Sequence, residues 1–427
     1  MKSLRQLFFI VLIVGCTSHQ SYCGDTLRFD DRVYEQVLHT PLLEPENEPQ
    51  GEPIYRLGSN ERLVLRFDLL EDDSRELAYK IIHCDPDWRP STISEYEYLS
   101  GFTTDRITEI RHSLNTITGY WHYSLKLPNE QINPSLSGNY LLVVYDVRNE
   151  EDLLLSRRFR VVEPLVEIDA NAHRATRIEW RNSHQEIDFK VGLGTLNIAQ
   201  PYSEIRVELV QNGDASRSIK TLKPLTANGK LLDFDLDEGN VFEGGSEFRP
   251  LDLRTSRFLT GSIARFEPSD GYHPAVAYLK PDTRTASQRH SARDDLNGRF
   301  AVLTYEGRDP HLEGDYTRVE FLFKTSDLFF SHPVYLYGGF RDYRTEAETR
   351  LAFEADSVRF TQSLLIKQGY YDYRYVTLAP DGTISTLETE GSHYETRNRY
   401  DIFVFWTPPG ARYTRLVGHV RRNAGGF

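Results

Sequence analysis

Apolar and polar positions alternate with a period of two in short stretches along the chain. Leu63, Leu65 and Phe67 alternate with Val64, Arg66 and Asp68. Ile187, Phe189 and Val191 alternate with Asp188 and Lys190, and Ile205, Val207 and Leu209 with Arg206 and Glu208. Successive side chains of a strand point to opposite faces, so each stretch predicts a strand with one face in a core. Ile402, Val404 and Trp406 alternate with Phe403 and Phe405, which predicts a strand buried on both faces. Asn212-Gly213, Asn228-Gly229 and Asp381-Gly382 are hairpin-type turn signals. No window of ordinary helix length carries helical periodicity; the best short candidate is Thr345 to Ala355. Many short strands at regular spacing predict an all-β chain of tandem immunoglobulin-like or early-set β-sandwich domains.

Two joints divide the chain. Arg157 to Val162 reads as a strand, Glu163-Pro164 breaks it, and Leu165 to Asp169 begins another. Proline cannot continue a central ladder, so a second domain is expected there. Lys280 to Asp295 is polar and lacks aromatic and branched aliphatic residues, and reads as a linker or a long exposed loop. The expected bodies are residues 24–163, 164–290 and 296–427. An internal echo supports them. Gly138-Asn139-Tyr140 and Gly369-Tyr370-Tyr371 each lead into a late strand, as does the tyrosine corner of immunoglobulin-like domains.

The N-terminus sets the compartment. Lys2 and Arg5 precede an apolar run from Leu7 to Val14, too short to span a bilayer and of signal-peptide length. Residues 1–16 are therefore expected to be a leader. Ile13-Val14-Gly15-Cys16 looks like a lipobox, which makes Cys16 the candidate lipidation site and mature N-terminus. An ordinary cut after Cys23 is the alternative. Cys84 lies in the folded body and reads as a buried small hydrophobe. Disulfides Cys16–Cys23 or Cys23–Cys84 are open, and nothing requires one.

Composition excludes some functions. The formal net charge is −13, which argues against nucleic acid as a partner because phosphate binding needs clustered Lys and Arg. The 25 Tyr and 23 Phe favour strands. Chemistry-bearing motifs are sparse. Asp233, Asp235 and Asp237 lead into Glu238-Gly239, but a calcium loop needs Gly at its sixth position and a carboxylate at its twelfth, where Glu238 and Gly244 stand. That string reads as a strand with a solvated acidic face. Glu243 and Glu247 flank Gly244-Gly245, and loop spacing alone does not make a glycosidase pair. His83-Cys84-Asp85 ends a strand and enters Pro86-Asp87-Trp88, so it reads as packing plus a turn. The 13 His show no linear zinc motif, and no nucleophile elbow, phosphate loop or dinucleotide fingerprint occurs. No catalytic residue, cofactor site or metal site is expected.

Specific phrases recur in order along the chain. They include Asp31-Arg32-Val33-Tyr34, Arg56-Leu57-Gly58-Ser59, His83-Cys84-Asp85 with Asp87-Trp88, and Glu97-Tyr98-Leu99 with Gly101-Phe102. Ser137-Gly138-Asn139-Tyr140, Arg157-Arg158-Phe159, His184-Gln185-Glu186 and Asp237-Glu238-Gly239-Asn240 follow. Asp252-Leu253-Arg254, Asn297-Gly298-Arg299-Phe300 and Glu306-Gly307-Arg308-Asp309-Pro310 complete the series. With these phrases the chain resembles the plug-protein family of the type IX secretion system of Bacteroidota. The resemblance implies a non-enzymatic plug, in the periplasm and associated with the outer membrane. Its implied partner is the giant outer-membrane β-barrel translocon, whose idle pore it seals; a lipid anchor through Cys16 rests on the lipobox and not on the resemblance. No contact residue can be carried over. Val334 to Phe340 and Gly369 to Val376 also look like an early-set, glycogen-binding-like sandwich. The alternative is thus an envelope glycan-binding protein with Tyr343 and Tyr371 as sugar platforms. A hydrolase of unfamiliar geometry is the third class.

Overall fold

A computed structural model describes residues 26–325 and 330–425. The leader, Cys16 and Cys23 lie outside the described residues. Strands dominate, and they form three sandwiches.

The first sandwich packs two sheets, antiparallel except where Ile54–Arg56 runs parallel to Asn149–Val162. In one, Leu63–Leu69 runs between Leu38–Pro45 and Trp121–Leu127, with Glu109–His112 at the edge. In the other, Gly138–Asp146 runs between Leu77–Cys84 and Asn149–Val162. Leu63, Leu65 and Phe67 point inward as the alternation requires, and meet Tyr79, Tyr140, Leu142 and Val144 in one core. Tyr140 donates its hydroxyl to the Leu136 carbonyl at 2.8 Å, and Tyr371 donates to the Lys367 carbonyl at 2.7 Å. Both bonds reach four residues upstream, so the echoed Gly-x-Tyr phrases are two tyrosine corners.

The chain leaves the first sandwich where proline demands it. Asn149–Val162 ends, and Glu167–Arg174 opens the middle sandwich. There Glu167–Arg174 pairs with His184–Gly192, which also holds Leu231–Asp233 and Val241–Glu243. The facing sheet corrects the expected boundaries. Ile205–Gln211 pairs along its length with Asn398–Trp406, which in turn pairs with Arg415–Ala424. The last two strands therefore belong to the middle sandwich, and residues 296–427 are not one body. The third sandwich is an insertion, with strands from Arg249–Asp252 to Ile384–Ser385. Its central strands are Gly369–Leu378 in one sheet and Tyr316–Lys324 in the other. The reason is non-local pairing: Ile402 and Val404 complete the middle core beside Val207 and Leu209.

The polar stretch Lys280 to Asp295 is no joint. Asp282–Thr283 pairs in parallel with Tyr316–Lys324, and Thr285 donates its backbone N–H to the Thr389 carbonyl. Asp295 accepts the Phe248 N–H at 2.7 Å. The segment does without aromatic and branched aliphatic residues because hydrogen bonds, not a core, fix it. The two real connections run side by side near Gly244, where a Cβ would collide with the His393 carbonyl. Thr345 to Ala355 is not a regular helix: it holds the 3-10 turn Ala347–Thr349 and the strand Ala352–Glu354.

This topology makes the C-terminal hairpin essential to a domain distant in sequence. Deleting residues 398–427 is expected to unfold the middle sandwich while the first keeps its protection. Hydrogen exchange on the truncated chain checks this; protected amides in Ile205–Gln211 would contradict it.

Candidate functional site

The alternation that builds each core leaves a second face, and the second faces of the three sandwiches meet. Asp68 and His122 stand opposite each other on neighbouring strands of the first sandwich. Tyr316 and Lys367 stand opposite each other on neighbouring strands of the third. The two cross-strand pairs face one another. Asp68 Oδ2 accepts from Lys367 Nζ at 2.6 Å and from Tyr316 Oη at 2.7 Å, and Asp68 Oδ1 accepts from His122 Nδ1 at 2.7 Å. Lys367 also donates to the His311 carbonyl at 2.6 Å and lies 4.0 Å from the centre of the Tyr120 ring. Asp68 and Lys367 are each 1% exposed. Burial pushes the Asp68 carboxyl up, but Lys367 and His122 outweigh it and hold the group below its ordinary range. Three donors converge on an acceptor-only carboxylate, as an ionised Asp68 requires. Burial drives His311 down to about 3, so it stays neutral where it stacks on His122.

The first and middle sandwiches meet through the His83 to Trp88 phrase. His83 bonds Ser91 Oγ at 2.9 Å through Nδ1. Asp85 Oδ1 accepts the backbone N–H groups of Asp87 and Arg89, closing a tight turn that holds Trp88 at a positive φ of 63°. The turn presents the Trp88 ring to the Arg158 and Arg160 guanidiniums at 4.5 and 5.1 Å. Arg160 then stacks on Phe403 at 3.9 Å and pairs with Glu208 at 2.8 Å, both of the middle sandwich. Cys84 is a buried free thiol pushed up to about 12 by burial and by Asp85, and burial lowers His83 to about 4. Neither value suits a thiolate–imidazolium pair. The phrase therefore builds an interface.

All three bodies close around a cavity of about 170 Å³ lined by Glu52, Arg160, Glu208, Arg299, Tyr343 and Asp401, among others. Glu52 of the first sandwich pairs with Arg299 of the third and, at 3.3 Å, with Arg399 of the middle one. Arg157 pairs with Asp342 at 3.2 Å, and Tyr337 donates to Asp214 at 2.7 Å. These contacts were hidden from sequence reasoning, because alternation does not say whether a polar face meets water or another domain.

The motifs weighed for chemistry do not converge. Asp233 pairs with Lys190, and its Oδ1 accepts the Asp235 N–H. Glu243 lies 3.9 Å from Arg217, while Glu247 accepts from His290 at 3.0 Å. Tyr371 is 2% exposed, and Tyr343 donates to the Asn212 and Asn297 carbonyls at 3.3 Å. Tyr371 therefore offers no face to a sugar, and Tyr343, half-buried, lines the cavity between the sandwiches.

The geometry thus defines a class: an all-β protein of three docked sandwiches whose buried polar groups join domains. Residues 38–163, most of the first sandwich, match the family model for the type 9 secretion system plug protein 1st domain. The chain is also similar to a hypothetical protein from Parabacteroides merdae known from a crystal structure. The identity is 26%, the TM-score is 0.89, and 93% of this chain and 100% of that chain are covered. No curated protein matches the chain. No helix among the described residues is long and apolar enough to cross a membrane.

Replacing Asp68 by Asn leaves the Lys367 ammonium buried without its counter-ion. A loss of roughly 3–5 kcal/mol is expected, read as a lower urea midpoint. Replacing the pair together by Leu and Met is expected to recover most of it. Asp68 is held below its ordinary range, so its stabilisation is present above about pH 4 and is lost as pH falls through the folded value. The acid limb of a stability–pH curve should therefore be weaker in the double variant.

Proposed function

We propose that the chain caps the periplasmic end of the giant outer-membrane β-barrel translocon of type IX secretion and seals the idle pore. The match of the first sandwich to a plug-protein first domain carries this reading. The docking of the sandwiches supports it. A pore wide enough for folded cargo needs a stopper of comparable width that does not flex. A compact body of about 400 residues has a radius of gyration of roughly 21 Å. Buried pairs such as Asp68–Lys367 and Arg160–Glu208 fix such a body across its domain joints. The reading places the protein in the periplasm, at the outer membrane, without catalysis or cofactor, and with Cys16 as its lipid tether. The translocon contact is then a reversible surface with a polar rim.

The test is affinity purification of the full chain, tagged at its C-terminus, from envelopes in mild detergent. The giant barrel is expected to co-purify in near-stoichiometric amount. Its absence after cross-linking in cells would overturn the assignment. Titration with starch-like oligosaccharides is expected to give no saturable signal, since Tyr371 is buried and the Tyr343 hydroxyl is engaged by the Asn212 and Asn297 carbonyls.

A further inference from the structure

In the first hairpin of the middle sandwich, His173 stands directly opposite Glu186. Asp188 lies two residues along the same strand, so its side chain shares the face of Glu186 and sits diagonal to His173. One donor atom of each residue lies within 4.8 Å of the other two, a grouping unique among the described residues. A second observation separates it from an ordinary surface ion pair. The Thr176 N–H donates to Glu186 Oε2 at 2.7 Å, while the buried Oε1 has no hydrogen-bond partner, and Glu186 is 1% exposed. A carboxylate oxygen withdrawn from water needs a positive or donating group.

The ring orientation points the same way. His173 Nδ1 lies 2.8 Å from the Arg174 carbonyl, which only accepts, so Nδ1 carries the hydrogen. His173 Nε2 lies 2.6 Å from Asp188 Oδ2, and that hydrogen bond raises the ring to about 9, so a proton bridges the two atoms until a metal ion displaces it. Asn240, fully buried, donates to Asp188 Oδ1 at 2.9 Å and to the Ile187 carbonyl at 3.0 Å, which fixes the carboxylate. An imidazole oriented by a backbone carbonyl and a carboxylate oriented by an amide are the supports that surround metal ligands. His173 and Asp188 are each about a quarter exposed, which leaves an entry path on the side away from Glu186.

We propose that His173, Glu186 and Asp188 bind a divalent transition-metal cation of the zinc class. One imidazole and two carboxylates suit such an ion, with water as a fourth ligand. Calcium wants six to eight oxygens and does not take imidazole. Binding opens the His173–Asp188 contact to about 3.3 Å, the spacing of two ligands on a tetrahedral ion with bonds near 2.0 Å. The ion clamps a hairpin whose loop holds both connections to the third sandwich: Ser183 O accepts from Gly244 N and Ser392 Oγ, and Asn182 O from Tyr394 N. Motif searches miss this site because its ligands come from two strands.

The test uses the full mature chain stripped of metal. Titration with Zn2+ is expected to give one site per chain and a higher melting temperature, and Co2+ a visible d–d absorption band. His173→Ala and, separately, Asp188→Asn are expected to weaken binding more than about tenfold and to abolish the band. Two results would overturn the proposal. One is a wild-type chain with no saturable binding, where a proton alone bridges His173 and Asp188. The other is unchanged binding in the variants, which would assign the metal to other surface histidines.

Discussion

The docking of the third sandwich on the first depends on a charge pair buried between them. Asp68 and Lys367 lie on strands of different sandwiches and are each almost inaccessible. Removing two charges from water costs more than an isolated pair returns, unless every lone pair and proton is used. Here every demand is met: His122 and Tyr316 complete the carboxylate, and the His311 carbonyl and Tyr120 ring complete the ammonium. Asp68, His122, Tyr316 and Lys367 each hold a fixed register in their own sheets. The pair therefore specifies one docking geometry. An apolar patch of equal area would tolerate sliding, whereas displacing a strand by one residue here would strand both charges.

The insertion of the third sandwich works in the same direction. A domain joined by one linker can swing, but a domain entered and left through adjacent segments is held at two points. Gly244 and Gly245 lie where those segments touch. The Glu247 carboxylate reaches back to His290 and to the Arg397 N–H, and Gln185 in the middle core donates to the Tyr394 and Thr396 carbonyls of the returning segment. The acidic and amide groups at the joint are thus backbone anchors. Glu243 and Glu247, adjacent in sequence terms to a glycine pair, serve this joint and not a cleft.

Much of the fold could be read along the chain. Period two located Leu63–Leu69, His184–Gly192 and Ile205–Gln211, and the repeated Gly-x-Tyr phrase marked two tyrosine corners. The doubly apolar run Ile402 to Trp406 was also informative: Ile402 and Val404 enter the middle core, while Phe403 and Phe405 pack beside Val162 at the joint with the first sandwich. What that run could not reveal was its partner, almost two hundred residues upstream. Pairing between distant strands leaves no local signature, so the insertion was invisible and the polar loop before Asp295 passed for a joint. The same limit applied to the buried faces. Arg66, Asp68 and Glu208 look solvated in one dimension and become interface groups only when another domain arrives.

Strongly shifted titratable groups in a protein of unassigned chemistry ordinarily suggest a catalytic centre. In this chain they have another cause. Asp372 rises to about 7 through burial and the nearby Asp295, yet its Oδ2 is occupied by the backbone N–H groups of Leu296 and Gly298. His311 and His83 fall because they are enclosed by the joints and cores they support. The shifts follow from packing domains against each other, not from a cleft that admits substrate. A body with such an interior resists being opened. Opening the body would expose Asp68, Lys367, Arg160 and Glu208 one by one without partners, a barrier that rises with every broken pair. A movement that leaves those pairs intact carries the three sandwiches together as one piece.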